Sequence, residues 1–177
     1  MKLPLKRPVA NEDETTIIHK AVPRKGSSMH RILLAVAFVV LTVGTAAASE
    51  KTNVMTTVHR FVDGFNKGDT RTELSACAAQ SSVIDDFPPH VWQGSGCANW
   101  VRDYAAMTKK QGITNGIVTL GTARHVDVTG DRAYVVAPVT FTFKQHGKPV
   151  TESGATFTLA LQKLASGWRI TGWAWAD

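Results

Sequence analysis

Two carboxylates stand side by side in SVIDDFPPHVWQG, residues 82–94. There Asp85 and Asp86 follow the strand-like pair Val83 and Ile84 and precede Phe87, two prolines and His90. A carboxylate at the end of an apolar strand has two uses. In water it completes a turn. In an apolar pocket, burial raises its proton affinity and makes it a base for neutral pH. Adjacent strand residues point to opposite faces, so alternation admits one of the two to a pocket. Asp85 alternates with Val83 and Phe87, Asp86 with Ile84, and the choice between them stays open. His90 reads either as a loop residue or as a proton shuttle. Phe61, Phe65, Trp92, Trp100, Tyr104, His125, Trp173 and Trp175 are the side chains available to line such a pocket, and the aromatics among them read first as core, the tryptophans as core or a dimer interface. His59, His90, His125 and His146 lack metal-ligand spacing, and there is no Gly-rich phosphate loop and no nucleophile-elbow serine. Neither a metal nor another cofactor is therefore expected.

The elements that must position these groups are legible from periodicity. Val54, Val58, Phe61, Val62 and Phe65 recur at helical spacing, and Gly68 is placed to end that helix. Thr70 and Glu73 form a capping-box pattern opening a short second helix, with Leu74 and Cys77 facing inward. A third helix follows Gly94, burying Cys97, Trp100, Val101 and Tyr104 before Gly112 stops it. From Gly116 the period changes to two, which predicts four long strands over residues 117–128, 133–144, 151–164 and 168–176, joined by short turns and therefore antiparallel. Helices first and an antiparallel meander afterwards is an α+β arrangement. Trp173 and Trp175 share one strand face, either a pocket wall or a surface for a second copy.

The chain has 177 residues, 44% of them hydrophobic, enough for one substantial core. Its formal charge of +6 is uneven: +4 lies before Ser49, leaving +2 for the rest with no basic cluster, so no nucleic-acid partner is expected. The uncharged run over residues 32–48 follows His30 and Arg31 and ends with Ala46 and Ala48 in small-x-small order. It reads as an export signal, residues 29–48, with a membrane anchor as the alternative. Residues 1–28 are a polar extension, or lie upstream of a true start at Met29; residues 49–177 are the folded domain. The expected location is periplasmic or secreted, with membrane contact only if the signal is retained. Export permits a Cys77–Cys97 disulfide, the alternative being two buried thiols.

The helix ending Asn66-Lys67-Gly68-Asp69, the strand DDFPPHVWQG and the closing GWRITGWAWAD together resemble the nuclear transport factor 2-like superfamily, its SnoaL-like and ketosteroid-isomerase-like branch in particular. The resemblance implies a cone-shaped bent antiparallel sheet wrapped around three N-terminal helices and enclosing an apolar pocket, often in a homodimer. It also implies an aspartate base where Asp85 and Asp86 stand, ahead of the glycine Gly94. In ketosteroid isomerase that base works with a tyrosine and a protonated aspartic acid. The corresponding positions here are Phe61 and Ala160, which cannot donate, and this argues against steroid isomerisation. Tyr104, His125 and the indoles of Trp92, Trp173 and Trp175 are the substitute donors. The expected occupant is a small, largely apolar organic molecule, with Asp-based proton transfer of an isomerase, dehydratase or cyclase kind. A non-catalytic dimerisation or partner-binding module, with the tryptophans at its interface, is the alternative.

Overall fold

The computed structural model describes residues 29–176, with side chains from residue 47 onward. Two compact units divide the chain, residues 1–38 and 39–177, and the first is described only where helix α1 (Met29–Lys67) begins. The polar extension expected at residues 1–28 lies outside the described residues, and the signal or anchor expected at 29–48 lies almost wholly where no side chain is described. Among the described residues no helix is long and apolar enough to cross a membrane.

The second unit continues with α2 (Thr70–Ser75), β1 (Cys77–Ile84), β2 (Val91–Trp92), α3 (Gly96–Gln111), β3 (Ile113–Leu120), β4 (His125–Thr129), β5 (Arg132–Gln145), β6 (Lys148–Leu164) and β7 (Gly167–Ala176). The strands form one curved sheet in the order β2-β1-β7-β6-β5-β3, with β4 also on β5. The α+β cone is as the sequence implies, with two differences. β1 runs parallel to β7, so the sheet is mixed. The strand expected over 117–128 is two strands, because β5 carries Pro138 opposite the break. Proline has no N–H for the ladder, and the chain steps around it through Gly121 N–H to Pro138 O at 2.9 Å and Arg124 N–H to Val136 O at 2.8 Å.

The apolar stripe of α1, Val54, Val58, Phe61 and Val62, is buried against alternate residues of β5, β6 and β7, among them Val135, Leu159 and Ile170. The Asn66 side chain acts as an extra rung on the sheet: its Nδ2 donates to Val118 O at 2.8 Å, and Val118 N–H donates to its Oδ1 at 2.7 Å. Gly64 lets α2 pack directly on α1, since a side chain there would run into the Glu73 backbone. The capping box expected at Thr70 and Glu73 is absent. Asp69 is the N-cap, accepting from Thr72 N–H at 3.0 Å, which frees Glu73 to turn inward, 4% exposed. Cys77 lies on β1 rather than on a helix, and its disulfide to Cys97 ties β1 to the start of α3 with Cα atoms 6.6 Å apart. Gly112, at φ 65°, ends α3 in the left-handed conformation.

Three irregularities decide which side chains face the helices. In β6, three residues span Thr156 to Ser153 while β5 takes two from Pro138 to Thr140; the extra residue falls by Gly154 at φ 98°. In β7, Thr171 has no partner between the pairs Leu161↔Ile170 and Ala160↔Gly172. In β3, the register shifts between Thr114 and Ile117, where Asn115 takes φ 56°. Each extra residue reverses the alternation of the residues beyond it and sharpens the local bend.

Candidate functional site

The concave side of the sheet and helices α1 and α3 enclose a cavity of about 420 Å³, within the range of small-molecule sites. Helix α1 contributes Phe61 and Phe65; α3 contributes Trp100, Tyr104, Met107 and Gln111; β5 contributes Phe141, Phe143 and Gln145; β6 contributes Glu152 and Phe157; β7 contributes Trp173 and Trp175. The loop after β1 closes one side with Asp85, Asp86, Phe87 and Pro88.

Both aspartates line the cavity, contrary to the expectation that alternation would admit only one. The reason is that β1 ends at Ile84, so the pair belongs to a turn in which strand alternation no longer applies. Asp85 N–H donates to His90 O at 3.0 Å and His90 N–H to Phe87 O at 2.9 Å, closing the loop beneath the pairing of Ile84 with Val91. Asp86 remains exposed at the cavity edge, whereas Asp85 is partly buried. The Asp85 carboxylate accepts from Trp100 Nε1–H at 2.6 Å and from the Asp86 N–H at 2.8 Å. Burial, reinforced by the neighbouring Asp86 carboxylate, raises its pKa to about 7 even though the Trp100 and backbone donors favour the ionised form.

The rings around this carboxylate are packed face to face and edge to face. Trp100 stacks on Tyr104 with centroids 4.9 Å apart and meets Trp173 edge-on at 4.8 Å; Phe87 lies 6.1 Å from Tyr104. The Tyr104 phenol is pushed well above its ordinary range, first by burial and then by the charge of Asp85, so it keeps its proton throughout the neutral range. Trp173 is 5% exposed and its indole N–H is buried without a hydrogen-bond acceptor among the described residues.

Of the expected lining, Phe61, Phe65, Trp100, Tyr104, Trp173 and Trp175 are in the cavity wall. His90, Trp92 and His125 are not. His90, at φ 69°, is spent on the β1–β2 loop, where its Nδ1 lies 3.2 Å from the Asp85 carbonyl oxygen. Trp92 donates to Asp103 at 2.9 Å on the flank of α3, and His125 packs beside Tyr134 on β4 and β5. Trp173 and Trp175 belong to the cavity rather than to an outer face, because the extra residue at Thr171 turns the end of β7 inward. Ala160, the position matched to a protonated acid, is exposed and outside the cavity. Phe141, Phe143 and Gln145 join the expected lining by continuing the inward alternation of Val135 and Val139, a signal the period of two carries, whereas Glu152 turns inward only because of the extra residue at Gly154. Among the described residues no three His, Cys, Asp or Glu side chains gather as a metal-ligand set.

No family model matches the sequence, and no curated protein matches it. Solved structures do. A nuclear transport factor 2-like superfamily protein from Salmonella enterica serovar Typhimurium superposes with a TM-score of 0.64 at 16% identity, covering 73% of this chain and 92% of its own. A proposed dehydratase of the same family from Streptomyces avermitilis gives 0.59 at 19% identity over 73% and 96%. A proposed ketosteroid isomerase from Shewanella frigidimarina gives 0.55 at 21% identity over 70% and 94%. With its curved seven-stranded sheet around the helices and its aromatic cavity, this chain has the nuclear transport factor 2-like fold.

Proposed function

We propose that the cavity binds a small, largely apolar organic molecule and that Asp85 moves a proton within it. The observation that carries this reading is the Asp85 carboxylate itself: it is held in an aromatic cavity by the Trp100 indole, with a pKa raised to about 7. A base of that strength changes protonation state readily at neutral pH. Asp85 would take a proton from an acidic C–H or O–H of the occupant and return it at a second position, so that the carboxylate is regenerated. Tyr104, fully protonated at that pH, would donate a hydrogen bond to an oxygen on which charge develops. This is the chemistry of an isomerase, dehydratase or cyclase. Phe61 and Ala160 at the matched donor positions argue for a substrate other than a steroid.

The disulfide between Cys77 and Cys97 supports a second part of the reading, that the domain works after export into an oxidising compartment. The cavity reading is tested by carboxyl-carbon NMR titration of residues 49–177, with Asp85→Asn and Asp86→Asn assigning the signals and separating their coupling. A midpoint near 7 for Asp85 is the expected result. A midpoint near 4, the ordinary carboxylate value, would remove the base from the proposal and leave only a binding cavity.

A further inference from the structure

The charge that suits the cavity can be read from its walls, given the reading above that it is a small-molecule site. Among the described residues no lysine, arginine or histidine lines the cavity, whereas Asp85, Asp86 and Glu152 do. Neither Asp85 nor Asp86 takes part in an ion pair among the described residues, and the donors that hold Asp85 are neutral N–H groups. Around them stand Phe87, Trp100 and Tyr104, within 6.4 Å of one another centre to centre. The faces of aromatic rings carry negative electrostatic potential and attract organic cations, most strongly where water is excluded.

Three kinds of occupant fit the volume, and they fare differently. A carboxylate or phosphate ester would bring negative charge against an acidic wall with no basic side chain among its described residues to offset it, at a large desolvation cost. A neutral apolar molecule would fill the space and leave the carboxylate field uncompensated. An organic cation would supply the missing charge to Asp85 and Asp86 and gain the ring faces as well. We propose that the occupant of this cavity is a cationic organic molecule, an aryl or alkyl amine or quaternary ammonium, whose charged head sits between the Asp85–Asp86 pair and the rings of Phe87, Trp100 and Tyr104. The rest of the molecule extends toward Phe141, Phe157 and Trp175.

A matched set of probes tests this. Benzyltrimethylammonium, its uncharged carbon isostere neopentylbenzene, and phenylmethanesulfonate have similar size and differ in charge. Their dissociation constants would be measured with the intact domain by equilibrium dialysis and by quenching of tryptophan emission, at about pH 8.5, above the Asp85 titration. The expected order is the cation tighter than the isostere by about tenfold or more, with the sulfonate not bound. Asp86→Asn and Asp85→Asn, checked for folding by circular dichroism, should each weaken the cation several-fold and leave neopentylbenzene unchanged. Equal affinities for cation and isostere, or tighter binding of the sulfonate, would overturn the charge assignment while the apolar cavity stands. Failure of all three probes to bind would overturn the cavity reading along with it.

Discussion

Asp85 and Glu73 are both carboxylates with pKa values pushed up to about 7, and burial is the leading cause for each, yet their surroundings differ in every other respect. Asp85 sits in a turn at a cavity wall, held by the Trp100 indole and an adjacent backbone N–H. Glu73 sits in α2 against Gly64 of α1, outside the cavity, with its Oε1 buried and without a hydrogen-bond partner among the described residues. A carboxylate whose charge is stabilised by aimed donors and which opens on a space can exchange protons with a bound molecule. One that is merely enclosed can only take up or release a proton at the expense of stability. A raised pKa therefore marks a candidate base only when a cavity and donors accompany it.

The largest test of the contrast is Glu73→Gln. A carboxyl whose folded pKa lies above its unfolded value, about 7 against 4.5, stabilises the protein relative to its ionised form at low pH, and that advantage is lost as pH rises through this interval. The glutamine variant keeps the shape without the charge. It should gain up to about 3 kcal/mol over the parent near pH 8 and nothing near pH 4, read from urea unfolding at the two pH values. An equal effect at both would show that Glu73 is not held neutral by its surroundings.

Trp100→Phe comes next and acts on the other carboxylate. Removing the indole N–H takes away a donor that favours the ionised form, so the Asp85 titration should move above its present position near 7. Stability should fall by about 2 kcal/mol at pH 8, where the bond is to a charged acceptor, and by less at pH 5. A titration that does not move would mean that the bond does not hold the carboxylate. The smallest effect is expected from Asp86→Asn, which lies exposed at the cavity edge. Stability should change by no more than about 0.5 kcal/mol, while the Asp85 midpoint falls because a neighbouring carboxylate that raises it has gone. Carboxyl-carbon NMR reads both directions, and a rise in the Asp86→Asn variant would contradict the like-charge account.

Much of the scaffold was legible because it follows simple periods. The stripe Val54, Val58, Phe61, Val62 and Phe65 needs only a helix to bury it, and Val135, Val139, Phe141 and Phe143 need only a strand. The stop at Gly112 is equally local, since the left-handed cap there favours glycine. Glu73 was misread because Thr70 and Glu73 match a capping pattern that Asp69, one residue earlier, already satisfies. The capping role passed to Asp69, and packing against Gly64 drew the glutamate inside. The pairing of β1 with β7 joins segments about ninety residues apart, a partnership no local pattern carries.

For the site itself, the sequence alone established a carboxylate pair at the end of an apolar strand, a supply of aromatic side chains on elements of known type, and two cysteines able to bridge. These are properties of residue identity and short-range spacing. Only the tertiary structure decided that both aspartates reach one cavity, that Trp100 holds Asp85, and that Glu152, Trp173 and Trp175 face inward. The reason is the same for the strand residues: an extra residue at Gly154 or Thr171 reverses the alternation beyond it, and its position is set by how neighbouring strands pair and bend around the helices.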